Sequence, residues 1–156
     1  MKKLITIILI TMLITGCGGK EVLDGSVEID TSIGQREGAI GKSDKDFTEI
    51  TTLKPTTVRN DTTEKWRKTT VSKSVDINEY ILSYNKLYMT EDTTVHAIVN
   101  FTNKTTTLIN DNGEYINVKT HEYIDKEEHD AKQLGSGMLL EEFNIYKDNG
   151  DITKVE

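Results

Sequence analysis

The chain has 156 residues, with 26 acidic side chains against 19 basic ones and a formal charge of −7. That balance argues against nucleic-acid binding, which needs a basic stripe, and against direct electrostatic attachment to anionic lipid. A single cysteine, Cys17, excludes an internal disulfide, so an ordinary apolar core has to stabilise a chain of this size.

From the N-terminus, Lys2 and Lys3 form a short positive region and Leu4 to Ile14 is almost wholly apolar. An apolar run of about a dozen residues falls short of the roughly 20 that cross a hydrocarbon core, so the segment reads as an export signal rather than a membrane span. The end of the run, Ile14-Thr15-Gly16-Cys17, resembles the lipobox of bacterial lipoproteins: a branched apolar residue, two small ones, then cysteine. The resemblance implies cleavage between Gly16 and Cys17 and a diacylglyceryl group, carrying fatty acids such as palmitate, on the Cys17 thiol. Two acyl chains are enough for stable anchoring, which would hold the mature chain at the extracytoplasmic face of the cell membrane. Loss of residues 1–16 would leave 140 residues. Lys2 and Lys3 go with them, so 17 basic side chains face 26 acidic ones and the formal charge becomes −9.

Residues 17–55 read as the lipidated cysteine followed by a flexible tether. Gly18, Gly19, Gly25, Gly34, Gly38 and Gly41 punctuate a stretch poor in apolar residues, and ordering such a chain is costly. Lys54-Pro55 marks the expected boundary, because the residue before proline is pushed towards extended geometry. Residues 56–156 are then expected to form one small α+β domain.

Within that domain, residues 63–71 around Trp66 form a candidate strand. Asp76 and Glu79 have the spacing of a capping box, and Val75 and Tyr80 occupy the two staple positions. Ile77, Ile81, Tyr84 and Tyr88 recur at helical spacing, which predicts an amphipathic helix over about residues 77–89. Tyr80, Tyr84 and Tyr88 form a stripe at i, i+4, i+8, read as core packing against a sheet or, if exposed, as an aromatic protein interface. Val95, Ala97, Val99 and Phe101 then alternate along one strand face, and residues 105–109 read as the return strand. Asn112-Gly113 is a hairpin signal leading to a strand over 115–124, with Ile116, Val118 and Ile124 on one side. Residues 138–146 give another strand, and Asn149-Gly150 turns the chain into a last one near 152–155. The helix is expected to pack on one face of an antiparallel β meander, with Val99, Phe101, Val118, Ile81 and Leu140 buried. His96 is expected to sit partly exposed in its strand.

Val58-Arg59-Asn60-Asp61 with Trp66-Arg67, Val99-Asn100-Phe101, the run from Glu127 to Lys132, and Gly135-Ser136-Gly137 are similar to stretches of small lipoproteins of Gram-positive bacteria with no assigned activity. The resemblance covers roughly residues 50–156 and carries no catalytic motif.

Three constellations have the composition of a site. His121, Glu122, Glu127, Glu128, His129 and Asp130 include proper zinc ligands, and such a site would use His121, His129 and Glu128. Their spacing matches no established zinc pattern, and a charged, solvated connection between strands accounts for them as well. Gly135-Ser136-Gly137 lacks the spacing of a nucleophile elbow and reads as a flexible turn. Asp148-Asn149-Gly150-Asp151 lacks the ligand spacing of an EF-hand and reads as a hairpin. No cofactor is expected, and the chain is expected to be a non-catalytic surface binding or interaction module whose partners are the membrane, through Cys17, and another envelope protein. A metal-dependent enzyme or metal-binding protein built on His121 and His129 is the alternative, and a structural envelope protein the third reading.

Overall fold

From Ala39 onwards the chain contributes its strands to one eight-stranded sheet, the longest of them in β-branched and aromatic runs. The structure is a computed structural model that describes residues 35–58, 62–89 and 92–156. Gly16, Cys17 and the expected tether as far as residue 34 lie outside the described residues. In chain order the strands are β1 (Ala39–Lys42), β2 (Thr56–Thr57), β3 (Trp66–Val71), β4 (Val95–Asn100), β5 (Thr105–Asp111), β6 (Tyr115–Glu122), β7 (Leu139–Tyr146) and β8 (Asp151–Lys154). Helix α1 (Ile81–Tyr88), entered through a 3₁₀ turn at Asn78–Tyr80, lies between β3 and β4. The fold is mostly β, and none of its described helices is long and apolar enough to cross a membrane.

Across the sheet the order is β1-β8-β7-β6-β5-β4-β3-β2. From β4 to β8 each strand pairs antiparallel with the next, as the closely spaced turn signals require. The expectation of a purely antiparallel sheet fails at β3, which runs parallel to β4 from Trp66↔Val95 to Val71↔Asn100. The reason is the helix between them. Parallel neighbours need a crossover of a dozen or more residues, and a helix supplies it. Parallel strands are commonly buried on both faces, and here every residue of β4 after Val95 is buried. His96 is fully buried too, contrary to the expectation of a partly exposed side chain.

Two apolar layers cover the two faces. On one, Tyr80, Ile81 and Tyr84 pack over Ile98, Ile109, Val118 and Ile145, together with Ile50 and Leu53. On the other, Ala131 and Leu134 from the β6–β7 connection cover Ala97 and Val99, with Val58, Trp66 and Leu108 at the margins. The tyrosine stripe therefore packs into the core at Tyr80 and Tyr84, with Tyr88 half-buried against it. At the helix entry the Asp76 carboxylate accepts the Asn78 N–H at 2.9 Å, the local bond expected of a capping aspartate.

Three core expectations are corrected. Leu140 is 47% exposed, because a bulge opposite Thr120/His121 disturbs the alternation at the start of β7. Ile124 lies beyond the end of β6 and is exposed. Phe101 sits in the turn after β4 and is half-buried, its ring edge-on to Tyr123 at 5.6 Å.

The boundary expected at Pro55 also lies too late. β1 pairs with β8, and the 3₁₀ turn at Glu49–Thr52 drives Ile50 into the core, where it is 1% exposed. The chain entering β1 is latched at several points. The Arg36 guanidinium lies 3.7 Å above the Tyr146 ring and 3.0 Å from Asp148. Its backbone N–H donates to the buried Asp151 carboxylate at 2.7 Å. Asp148 and Asp151, the carboxylates of the calcium-like run, thus serve as partners of this segment. Gly150 lets the two chains meet, since a Cβ there would stand 2.7 Å from the Ser43 carbonyl oxygen.

Candidate functional site

The charged run after β6 is placed as follows. His121, on β6, lies with Nδ1 3.0 Å from the Gly137 carbonyl. His129 is 71% exposed, with Nε2 3.3 Å from Glu128. The other Glu128 carboxylate oxygen accepts the Tyr123 hydroxyl at 2.9 Å. Among the described residues no three His, Cys, Asp or Glu side chains are grouped as a metal would need, so His121, His129 and Glu128 are not brought together as a ligand set.

Glu127, read in sequence as part of a solvated charge run, is 1% exposed. Its carboxylate accepts the Thr106 hydroxyl, the Ile124 N–H at 3.1 Å and the Gly135 N–H at 2.8 Å. Three donors compensate a buried carboxylate for lost water, and they tie β5 to both ends of the β6–β7 connection. The Gly135-Ser136-Gly137 turn is likewise closely packed rather than loose. A Cβ at Gly137 would lie 1.9 Å from the Glu122 carbonyl oxygen. Gly137→Ala is therefore expected to force the backbone apart and cost about 3 kcal/mol, the upper part of the usual overpacking range, measurable as a lowered urea midpoint.

A second buried polar cluster lies under the helix. The Tyr84 hydroxyl is 2.8 Å from His96 Nδ1 and 3.2 Å from the Thr69 hydroxyl. Burial, with the Arg67 cation adding to it, lowers the His96 pKa to about 4. Burial also pushes the Tyr84 hydroxyl far up. Tyr84 and His96 are both fully buried, so this cluster presents nothing to a ligand.

Unspent polar capacity is found instead in an open groove of about 430 Å³. It arises because the helix-covered sheet face changes character along its strands. The inward positions run from Ile109, Val118 and Phe143 to Thr107, Thr120 and Glu141, beyond the part of the face that α1 covers. Thr105, Thr107, Thr120 and Glu141 line the sheet side, and residues 74–78 with Asn100 and Asn103 complete the walls. The Thr107 and Thr120 hydroxyls lie 3.3 Å apart. Two hydroxyls carry two protons, and their mutual bond uses one. Asn100 is spent on the backbone, its Oδ1 accepting from Thr102 at 3.0 Å and Asn103 at 2.9 Å. Asn103 Nδ2 donates to the Val75 carbonyl at 3.2 Å. By contrast, Asn78 Oδ1 is buried without a donor, and Glu141 has no cation or hydrogen-bond partner among the described residues.

Sequence reading singled out none of the groove-lining residues as a site. Threonine and asparagine in strands and turns carry no spacing signal, and only the bend of residues 74–78 over the sheet assembles them. No family model, curated protein or solved structure matches the chain.

Proposed function

We propose that this protein is a lipid-anchored, non-catalytic binding module of a bacterial cell surface, held through Cys17 at the extracytoplasmic face of the membrane and docking another envelope protein at the Thr107–Thr120 groove. The Ile14–Cys17 segment and the resemblance of residues 50–156 to small Gram-positive lipoproteins support the anchor. The observation that carries the binding half is the groove's unspent hydrogen-bonding capacity, where the buried clusters around Glu127 and His96 are closed. The groove offers hydroxyls, amides and two carboxylates, with no histidine or lysine among its lining residues to activate them, which favours binding over chemistry.

Both halves are tested with one tagged full-length chain. Wild type is expected to incorporate labelled palmitate and sediment with membranes, and Cys17→Ala to do neither; a wild-type chain that takes up no label removes the anchor. Crosslinking on intact cells is expected to capture a protein partner that Thr105→Trp, which fills the groove, no longer captures. Equal capture by both chains places the binding surface elsewhere.

A further inference from the structure

We propose that Asn112, in the turn between β5 and β6, is a site of self-modification. The Gly113 backbone nitrogen displaces the Asn112 side-chain amide, and the ageing chain comes to carry isoaspartate or aspartate at this position. Asn149, in the corresponding turn between β7 and β8, is spared.

The reaction needs the chain and water alone. The Gly113 nitrogen attacks Asn112 Cγ; its bond to Cγ forms and the Cγ–Nδ2 bond breaks. Nδ2 leaves as ammonia with the proton given up by the Gly113 nitrogen, and a cyclic imide remains. Water then opens the imide, leaving aspartate if it adds at Cγ and isoaspartate if it adds at the backbone carbonyl. Glycine favours the closure because it has no Cβ to crowd the ring. In local sequence the two sites are nearly the same, Asp111-Asn112-Gly113-Glu114 against Asp148-Asn149-Gly150-Asp151. A difference between them therefore comes from the fold.

Three observations separate them. Asn112 is exposed and its side chain has no hydrogen-bond partner among the described residues, so Cγ is free to turn onto the Gly113 nitrogen. Asn149 is held at both ends, its Oδ1 accepting the Asp151 N–H at 3.0 Å and its Nδ2 donating to the Asp151 carboxylate at 2.7 Å. The attacking nitrogens differ as well. Gly113 is exposed and its N–H donates to the Asp111 carboxylate at 2.9 Å, an acceptor for the proton that must leave. Gly150 is buried, and its N–H is spent on the Tyr146 carbonyl at 2.8 Å. Space supplies the third difference. A Cβ at Gly113 would meet nothing within 4 Å, so this turn can rearrange in place. At Gly150 a Cβ would stand 2.7 Å from the Ser43 carbonyl oxygen, so an imide there closes only after the β7–β8 turn has opened.

The product sets a new carboxylate beside Asp111, which holds Lys147 at 2.5 Å, and isoaspartate adds a backbone atom to a turn of three residues. The test incubates the full-length chain in mildly alkaline buffer with a non-ionic detergent, once folded and once unfolded in guanidinium chloride. Samples are digested with trypsin, and the peptides Thr105–Lys119 and Asp148–Lys154 are followed by mass spectrometry. Electron-transfer fragmentation tells isoaspartate from aspartate. In the folded chain Asn112 is expected to convert faster than Asn149 by about tenfold or more, because Asn149 reacts only through local opening. In guanidinium chloride the two rates should converge. Equal rates at the two sites in the folded chain overturn the inference. So does a folded chain in which Asn112 stays intact, or a difference that persists in guanidinium chloride and so belongs to the local sequence.

Discussion

Lowering the pH from 7 to 4 is expected to remove about 3 kcal/mol of stability through His96 alone. In the folded chain burial lowers this imidazole from its ordinary 6.5 to about 4. Between those values the unfolded chain binds a proton that the folded one refuses, so stability falls as the pH falls. The contribution is fully present above 6.5 and is lost on the way down to 4. The cause is geometric. A consistent orientation runs from the Thr69 hydroxyl to the Tyr84 hydroxyl to His96 Nδ1, which puts the imidazole proton on Nε2. A second proton on Nδ1 would displace the Tyr84 bond, and the Tyr88 backbone, which favours the protonated ring, offsets burial only in part. Urea unfolding followed at pH 7 and at pH 4.5 measures the effect. His96→Gln keeps an acceptor for Tyr84 but does not titrate, so it should lose about 2–3 kcal/mol less than wild type over this range. Parallel losses in both proteins would mean that His96 is not held neutral.

A fragment beginning at Thr56 is expected not to fold. It would lose Ile50 and Leu53 from the main apolar layer, each worth about 1.5–3 kcal/mol of burial. It would also leave the outer edge of β8 without β1, and the buried Asp151 carboxylate without the Arg36 N–H and without Lys42, 3.8 Å away. Only Asn149 Nδ2, at 2.7 Å, would remain on that carboxylate, and a buried charge stripped of most of its partners costs several kcal/mol. The sum is comparable to the whole stability of a small domain, about 5–15 kcal/mol. Restoring residues 35–55 should bring back cooperative unfolding. Ile50→Ala in the full chain should cost about 3–4 kcal/mol, within the range for a buried isoleucine. A fragment from Thr56 that unfolds cooperatively would show that the lead-in only decorates the sheet.

Much of the sheet was legible because its signals are local. Asn112-Gly113 and Asn149-Gly150 announce the β5–β6 and β7–β8 hairpins, and both glycines adopt the positive φ their turns require. The helix was legible from Ile77, Ile81, Tyr84 and the Asp76 cap. What escaped depends on partners distant in sequence. β1 has no apolar period of its own and becomes a strand only by pairing with β8. His96 looked like an ordinary alternating strand residue, because its burial comes from a helix on one side and a parallel neighbour on the other. Glu127 is indistinguishable in sequence from Glu128 beside it, yet one is buried under three donors and the other lies between the Tyr123 hydroxyl and the His129 ring. The groove was invisible for the same reason, since residues from both sides of the helix come together only when the sheet does.

The β1–β8 pairing also shapes how the chain reaches and leaves its folded state. The strands from β4 to β8 close through connections of at most 16 residues, whereas Arg36 meets Asp151 across 115 positions of sequence. Closing so long a loop is entropically late, so β1 should dock after a meander that already exists. A contact formed after the rate-limiting step does little to speed folding. Its stabilisation appears almost entirely as slower unfolding, so the latch at Arg36 and Lys42 sets the lifetime of the folded domain rather than the time it takes to form.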